Sequence, residues 1–106
     1  MTLQTLSILS ILLEDDADPY GLAIAKRIGL PVATVYLVLA RLERAGWLVS
    51  EWENIDPAEH ERPRRRLYRL TPSGRLEALQ ARERAAQSVF RGWQPFPSPS
   101  SGGTSA

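Results

Sequence analysis

Apolar residues recur at three- to four-residue spacing along the first fifth of the chain. Leu3, Leu6, Leu9 and Leu13 form the stripe, and Ile8, Ile11 and Leu12 widen it. This pattern predicts a helix from a Thr2 cap to about Glu14, buried on more than one side. Asp15-Asp16-Ala17-Asp18-Pro19 reads as a turn, with Asp18 as cap and Pro19 as first residue of a short second helix ending at Ile28. Leu22, Ile24 and Ile28 of that helix can face a core, while Lys26 and Arg27 face out. Gly29-Leu30-Pro31 breaks it: the glycine suits a left-handed helix end and the proline suits a helix start. A third helix is predicted from Pro31 to Ala45, with Val35, Val38, Leu39 and Leu42 inward.

The period then changes to an extended one. Trp47 to Trp52 is rich in strand formers, Asn54 to Pro63 is a polar loop, and Arg64 to Leu70 reads as a returning strand with Tyr68 and Leu70 on one face. Thr71 caps a last helix that begins at Pro72. In it Leu76, Leu79, Ala86, Phe90 and Trp93 fall near heptad a and d positions, and Glu83 interrupts them. From Gln94 the chain turns to Pro, Ser and Gly, a composition that predicts disorder. Two helices joined by a tight Gly-containing turn make a helix-turn-helix, and the two strands after it make a wing. The expected class is therefore α+β: a winged helix-turn-helix of three helices and a two-stranded wing over residues 1–71, a C-terminal helix over 72–93, and a tail over 94–106.

Length and composition fit one folded domain, since 106 residues with 43% hydrophobic side chains support a core of small margin. The absence of cysteine excludes a disulfide framework, a thiolate zinc site and a cysteine nucleophile. The only histidine, His60, lies in the polar loop between Glu59 and Glu61, and no Gly-rich phosphate loop or nucleophile motif occurs. An enzyme, a metal and a cofactor are not expected. No stretch has the apolar length of a membrane span, and the N-terminus lacks the basic start of a signal peptide; the expected location is the cytoplasm. Charge changes the picture more. Residues 1–61 carry four Lys/Arg against ten Asp/Glu, a net −6, whereas 62–106 carry nine Arg against two Glu, a net +7. That polarity points either to an anionic partner for the second half or to a solvated basic face.

Several segments carry a closer resemblance. Tyr20-Gly21-Leu22-Ala23-Ile24, the run Leu30 to Glu43 with Thr34, Tyr36 and Leu39, Gly46-Trp47-Leu48-Val49-Ser50-Glu51-Trp52, and Arg64-Arg65-Arg66-Leu67-Tyr68-Arg69-Leu70-Thr71-Pro72-Ser73-Gly74 resemble the PadR family of bacterial transcriptional regulators. The resemblance covers about residues 3 to 80. Tyr20 stands where that family has His, Leu22 and Leu67 where it has Tyr, and Leu37 where it has Pro.

The resemblance implies a homodimer bound to double-stranded DNA, acting as a repressor on a palindromic operator with half-sites about one helical turn apart. The third helix would enter the major groove, with Val32, Ala33, Thr34 and Leu37 at the base edges. None of these is an Arg or Asn, so DNA shape and operator spacing are expected to carry much of the specificity. Tyr36 is a candidate for a phosphate hydrogen bond, the alternative being packing under the wing. Arg62, Arg64, Arg65, Arg66 and Arg69 form the wing's charge run. Strand alternation cannot aim them all one way. Two or three are expected on phosphates or in the minor groove, the rest on Glu51, Glu53, Glu59 or Glu61. Arg41 and Arg44 are expected to pair with Glu43 or other acids. In the resembled family the last helix packs against the partner's first helix, which assigns Leu76, Leu79, Ala86, Phe90 and Trp93 to dimerisation; the alternative is a helix folded back on its own domain. Some members bind aromatic compounds, so a small aromatic effector near Phe90 and Trp93 is a further expectation, against plain interface core. A protein-interaction module built on the same fold is the alternative function.

Overall fold

In the computed structural model, which describes residues 1–92, the helix-turn-helix is the centre around which the other elements pack. Helix α1 runs Leu3–Leu12, α2 Gly21–Ile28 and α3 Val32–Arg44. The axes of α2 and α3 differ by 119°, within the range of helix-turn-helix units. Strand β1 (Leu48–Trp52) pairs antiparallel with β2 (Arg66–Leu70), with Leu48 opposite Leu70 and Trp52 opposite Arg66. A single turn, α4 (Pro57–His60), lies between the strands, and α5 spans Pro72–Gly92. The predicted architecture is present, with α4 added. Trp93 and the 94–106 tail lie outside the described residues.

The caps show where local chemistry decides. Thr2 Oγ1 accepts from the Thr5 N–H at 3.1 Å, as expected of a helix cap. Thr71 Oγ1 accepts from the Gly74 N–H at 2.9 Å and donates to the Gly46 carbonyl at 2.8 Å, so it starts α5 and ties it to the end of α3. Asp18-Pro19 does not start α2. Tyr20 is the extended N-cap there (φ −130°, ψ 153°) and Gly21 is the first helical residue. The cause is tertiary: the Pro19 carbonyl accepts from the Tyr68 N–H at 2.8 Å, and Tyr20 bridges Leu67. The segment is thus drawn out as a third edge beside β2. The same Asp-Pro pair at Asp56-Pro57 does start a helix, α4, where Asp56 Oδ1 accepts from the Ala58 N–H at 3.0 Å. No strand pulls that segment away.

The core joins Ile8, Leu9 and Ile11 of α1, Ile24 of α2, Val35, Val38, Leu39 and Leu42 of α3, Leu48 of β1, Tyr68 of β2 and Ala78 of α5. No polar or charged side chain among the described residues is buried. Leu22, expected inward, is instead 46% exposed. It sits one residue past the start of α2, two residues before the buried Ile24 and so across the helix from it.

Helix α5 packs on α1 through its small residues. Gly74, Ala78 and Ala81 are its buried positions, spaced four and three apart. The approach is closest at Gly74, where a Cβ would stand 2.0 Å from the Trp47 carbonyl oxygen. Leu76 and Leu79, and Val89 and Phe90 further on, turn away and are exposed. The first part of the helix, Gly74 to Ala81, therefore packs on its own domain, and the described heptad residues Leu76, Leu79, Ala86 and Phe90 stay outside that contact.

Gly74→Ala gains at most about 1 kcal/mol of helix propensity. It also forces a backbone clash, and overpacking typically costs about 1–3 kcal/mol. We expect a net loss of stability, read as a lower urea midpoint at unchanged slope; an unchanged or higher midpoint would contradict the packing described.

Candidate nucleic-acid interface

Helix α3 divides its residues cleanly. Val35, Val38, Leu39 and Leu42 face the core, and Val32, Ala33, Tyr36, Leu37 and Ala40 face out, with Thr34 half-buried at the margin. Gly21 leaves room for the Tyr36 ring: a Cβ there would lie 2.5 Å from Tyr36 Cε1. The ring rests against the start of α2 and remains 46% exposed. The ring is packed against α2 rather than under the wing, and its hydroxyl has no partner among the described residues.

The wing arginines do different things. Arg62 is held inside the wing by a two-pronged ion pair with Glu53, Nη1 to Oε1 at 2.6 Å and Nη2 to Oε2 at 2.9 Å. Glu53 also accepts from the Arg65 N–H at 3.2 Å. Arg66 reaches back to α3 and β1: its Nε donates to Ser50 Oγ at 3.0 Å, and Ser50 in turn donates to Glu43 Oε2 at 2.6 Å. Its guanidinium is 3.9 Å from Glu43 and 5.3 Å from the centre of the Trp52 ring. Arg69 pairs with Glu51 at 3.1 Å, exposed on both sides. Arg64 donates from Nε to the Ile55 carbonyl at 3.0 Å, and Arg65 lies 4.3 Å above the Tyr20 ring. Neither Arg64 nor Arg65 has a carboxylate within 4 Å among the described residues.

Of the five arginines of the charge run, then, Arg64 and Arg65 have no carboxylate partner, Arg62 and Arg66 hold the wing in shape, and Arg69 pairs with Glu51. The expected acidic partners Glu51 and Glu53 are used; Glu59 and Glu61 are not. Arg41 and Arg44 do not pair with Glu43, because Glu43 is turned to Ser50. They add open positive charge to the last turn of α3. Arg27 is committed to Glu14 by two bonds of 2.7 Å, and its guanidinium holds the Glu14 carboxyl below the usual range.

Between α3 and the wing lies a cleft of about 590 Å³ whose lining includes Tyr20, Leu22, Tyr36, Trp52, Arg64 and Arg65. Its floor is Tyr68, whose phenol is pushed up in pKa by burial. Periodicity does not reveal this grouping. Tyr20 reaches it only because Pro19-Tyr20 is drawn against β2, and Trp52 only through strand register.

A family model described as "Transcriptional regulator PadR-like family" matches residues 8–80. The chain belongs to the PadR-like family. No curated protein matches it. Among solved structures, a PadR family transcription regulator from Clostridium difficile R20291 is 30% identical with a TM-score of 0.63, covering 85% of this chain and 96% of that one. A MarR family regulator from Rhodococcus sp. RHA1 has a TM-score of 0.73 at 22% identity, covering 92% of this chain. CouR from Rhodococcus jostii RHA1, solved with p-coumaroyl-CoA, has a TM-score of 0.69 at 21% identity, again covering 92% of this chain. This chain spans only 64% of each of those two proteins, and at such identity they share the fold alone.

The PadR match takes in the helix-turn-helix, the whole wing and the first nine residues of α5. It ends before Ala86 and Phe90. In this PadR-like chain the departures at Tyr20, Leu22, Leu37 and Leu67 all fall on exposed or half-buried positions, Tyr20 and Leu22 at the cleft, Leu37 on the outer face of α3 and Leu67 on the face of β2 opposite the buried Tyr68.

Glu53 carries a testable pH dependence. Arg62, followed by the Arg65 N–H, lowers its pKa from 4.5 to about 2. A carboxylate depressed in the folded state adds stability that is complete above its unfolded pKa and is lost as pH falls through the folded one. The contribution is therefore full above about pH 4.5 and fades toward pH 2. A carboxyl NMR titration should show Glu53 with a midpoint near 2. Glu53→Gln should be less stable than wild type at pH 7 and converge with it near pH 2. A midpoint near 4.5 would mean that the fork does not form in solution.

Proposed function

We propose that this PadR-like chain is a DNA-binding transcriptional regulator that acts as a homodimer, with α3 in the major groove and the wing along the phosphate backbone. The supporting observation is an uncharged, outward α3 face together with two arginines, Arg64 and Arg65, that share a cleft with Tyr36 of that helix and have no carboxylate partner among the described residues. Arg62, Arg66 and Arg69 are tied to Glu53, Glu43 and Glu51, so the two unpaired arginines stand out within the same charge run. Phosphate neutralisation is what such charge does at a duplex. Thr34, the Tyr36 hydroxyl, Arg41 and Arg44 are placed to add contacts on the α3 side.

The dimer rests on α5. Leu76, Leu79, Ala86 and Phe90 stand near a and d positions and are exposed in the single chain, at 57, 38 and 77% for Leu76, Leu79 and Phe90. Val89, outside that frame, is 73% exposed beside Leu3 at 79%. An apolar strip of this length on one helix is better covered than solvated. Two copies related by a two-fold axis would place two α3 helices on a palindrome, and a bound dimer that excludes polymerase would repress. A small aromatic effector fits the same scheme. The α3–wing cleft offers Tyr20, Tyr36 and Trp52 to a planar ring beside Arg65, and a compound bound there would compete with DNA. Phe90, the earlier candidate, stands on the open face of α5.

The test is binding of a selected duplex by the full chain over a range of salt concentrations. Loss of Arg64 and Arg65 together, as R64A/R65A, should weaken binding and flatten the log–log salt slope by about 2 for each protomer, at about 0.9 for each phosphate contact. Unchanged affinity and slope would reject the interface and favour the protein-interaction module. Light scattering should give twice the chain mass, and L76E/L79E should return it to one.

A further inference from the structure

The face that α3 offers is unusual in what it lacks. From Pro31 to Ala40 there is no charged side chain and no side-chain amide. Its exposed members are Val32, Ala33, Tyr36, Leu37 and Ala40, with Val32 at 38% and Leu37 at 55%. The groups that read guanine O6 and N7 or adenine N6 and N7 by paired hydrogen bonds are Arg, Lys, Asn and Gln. None stands on this face before Arg41, at the far end of the helix. An aliphatic surface can gain from only one feature in the major groove, the C5-methyl group of a pyrimidine. Charge complementarity assigns the occupant: the carboxylate-free Arg64 and Arg65 sit across the cleft from this face, where they suit a polyanion and not an apolar protein surface.

We infer that this chain reads its operator through pyrimidine C5-methyl groups, chiefly thymine, packed against Val32, Ala33 and Leu37. The inference rests on the DNA-binding reading and adds the base class to it. Leu37 stands at the centre, one turn beyond Ala33 and with more exposed surface than Val32. Tyr36 flanks it with a ring fixed against α2, so the side of the aliphatic patch toward the wing is closed and contact is confined to one or two base pairs per half-site. Hydrogen bonding to bases contributes little beyond Thr34.

The experiment uses the duplex enriched from a random pool by the full chain, resynthesised with deoxyuridine at single thymine positions. This replacement removes one methyl group and keeps the pairing edge. At thymines under α3, affinity should fall about fourfold each, the effect of losing one buried methyl-sized group, with the salt slope unchanged. Leu37→Ala, an exposed change that leaves the core intact, should reduce the thymine-to-uracil ratio at one position toward 1. At that position 5-methylcytosine should bind better than cytosine, which separates the methyl group from the thymine pairing edge. Specific binding that is indifferent to uracil at every position would overturn the methyl readout and leave the DNA-binding reading standing. An enriched duplex with no thymine under α3 would do the same. Failure to bind any duplex would overturn both.

Discussion

The backbone pairing between β2 and the segment before α2 is the constraint on which the placement of the wing and of the cleft depends. The Tyr68 N–H meets the Pro19 carbonyl, and Tyr20 bridges Leu67. A two-stranded hairpin alone is marginal in water. Here a third edge and a buried Tyr68 fix it to the helix-turn-helix. The direction of the wing relative to α3 follows from that pairing. So does the cleft between them, because the same pairing carries Tyr20 under Arg65. The link is made of backbone groups, which accounts for its compatibility with Tyr20 and Leu67 where relatives of the family carry other side chains.

A second layer of polar contacts holds the wing from within. Glu53 grips Arg62 and the Arg65 backbone, and Ser50 passes Arg66 to Glu43 on α3. These contacts use up acidic and basic groups in matched pairs and leave Arg64 and Arg65 free. A wing whose every arginine was free would repel itself; one whose every arginine was paired would offer nothing to a polyanion. An exposed pair such as Arg69–Glu51 adds little stability by itself, whereas the Glu53–Arg62 fork is part-buried and two-pronged. Their work is to keep a short, twisted hairpin in one shape.

The last helix shows how one residue type decides two surfaces. Gly74, Ala78 and Ala81 let α5 approach α1 and the Trp47 carbonyl closely, which requires small residues on that side. The large apolar residues are then left on the opposite side, where they are available to another chain. The apolar stripe and the packing stripe are distinct, and only the second is used within the single chain.

Most of the architecture was legible in sequence order. The 3.6-residue stripes of α1 and α3, the shift to strand formers at Trp47, the Thr71-Pro72 start of α5 and the arginine run all stand where local propensity and period place them, because each is decided by neighbours within a few residues. The candidate interface was legible only in part: the outer face of α3 follows from its period, and the arginine run, but not which of its members lack a carboxylate, from the charge pattern. What tertiary structure alone decided were matters of competition between distant groups. Asp18-Pro19 and Asp56-Pro57 are the same dipeptide, yet only the second starts a helix, because β2 claims the carbonyl of Pro19. Five wing arginines look alike in sequence, and their carboxylate partners, nine to twenty-three residues away for Arg62, Arg66 and Arg69, separate those three from Arg64 and Arg65, which have none within 4 Å among the described residues. Leu22 reads as core, but the fold turned it to the surface, since a helix's period shows that it has an apolar face and not what will cover it.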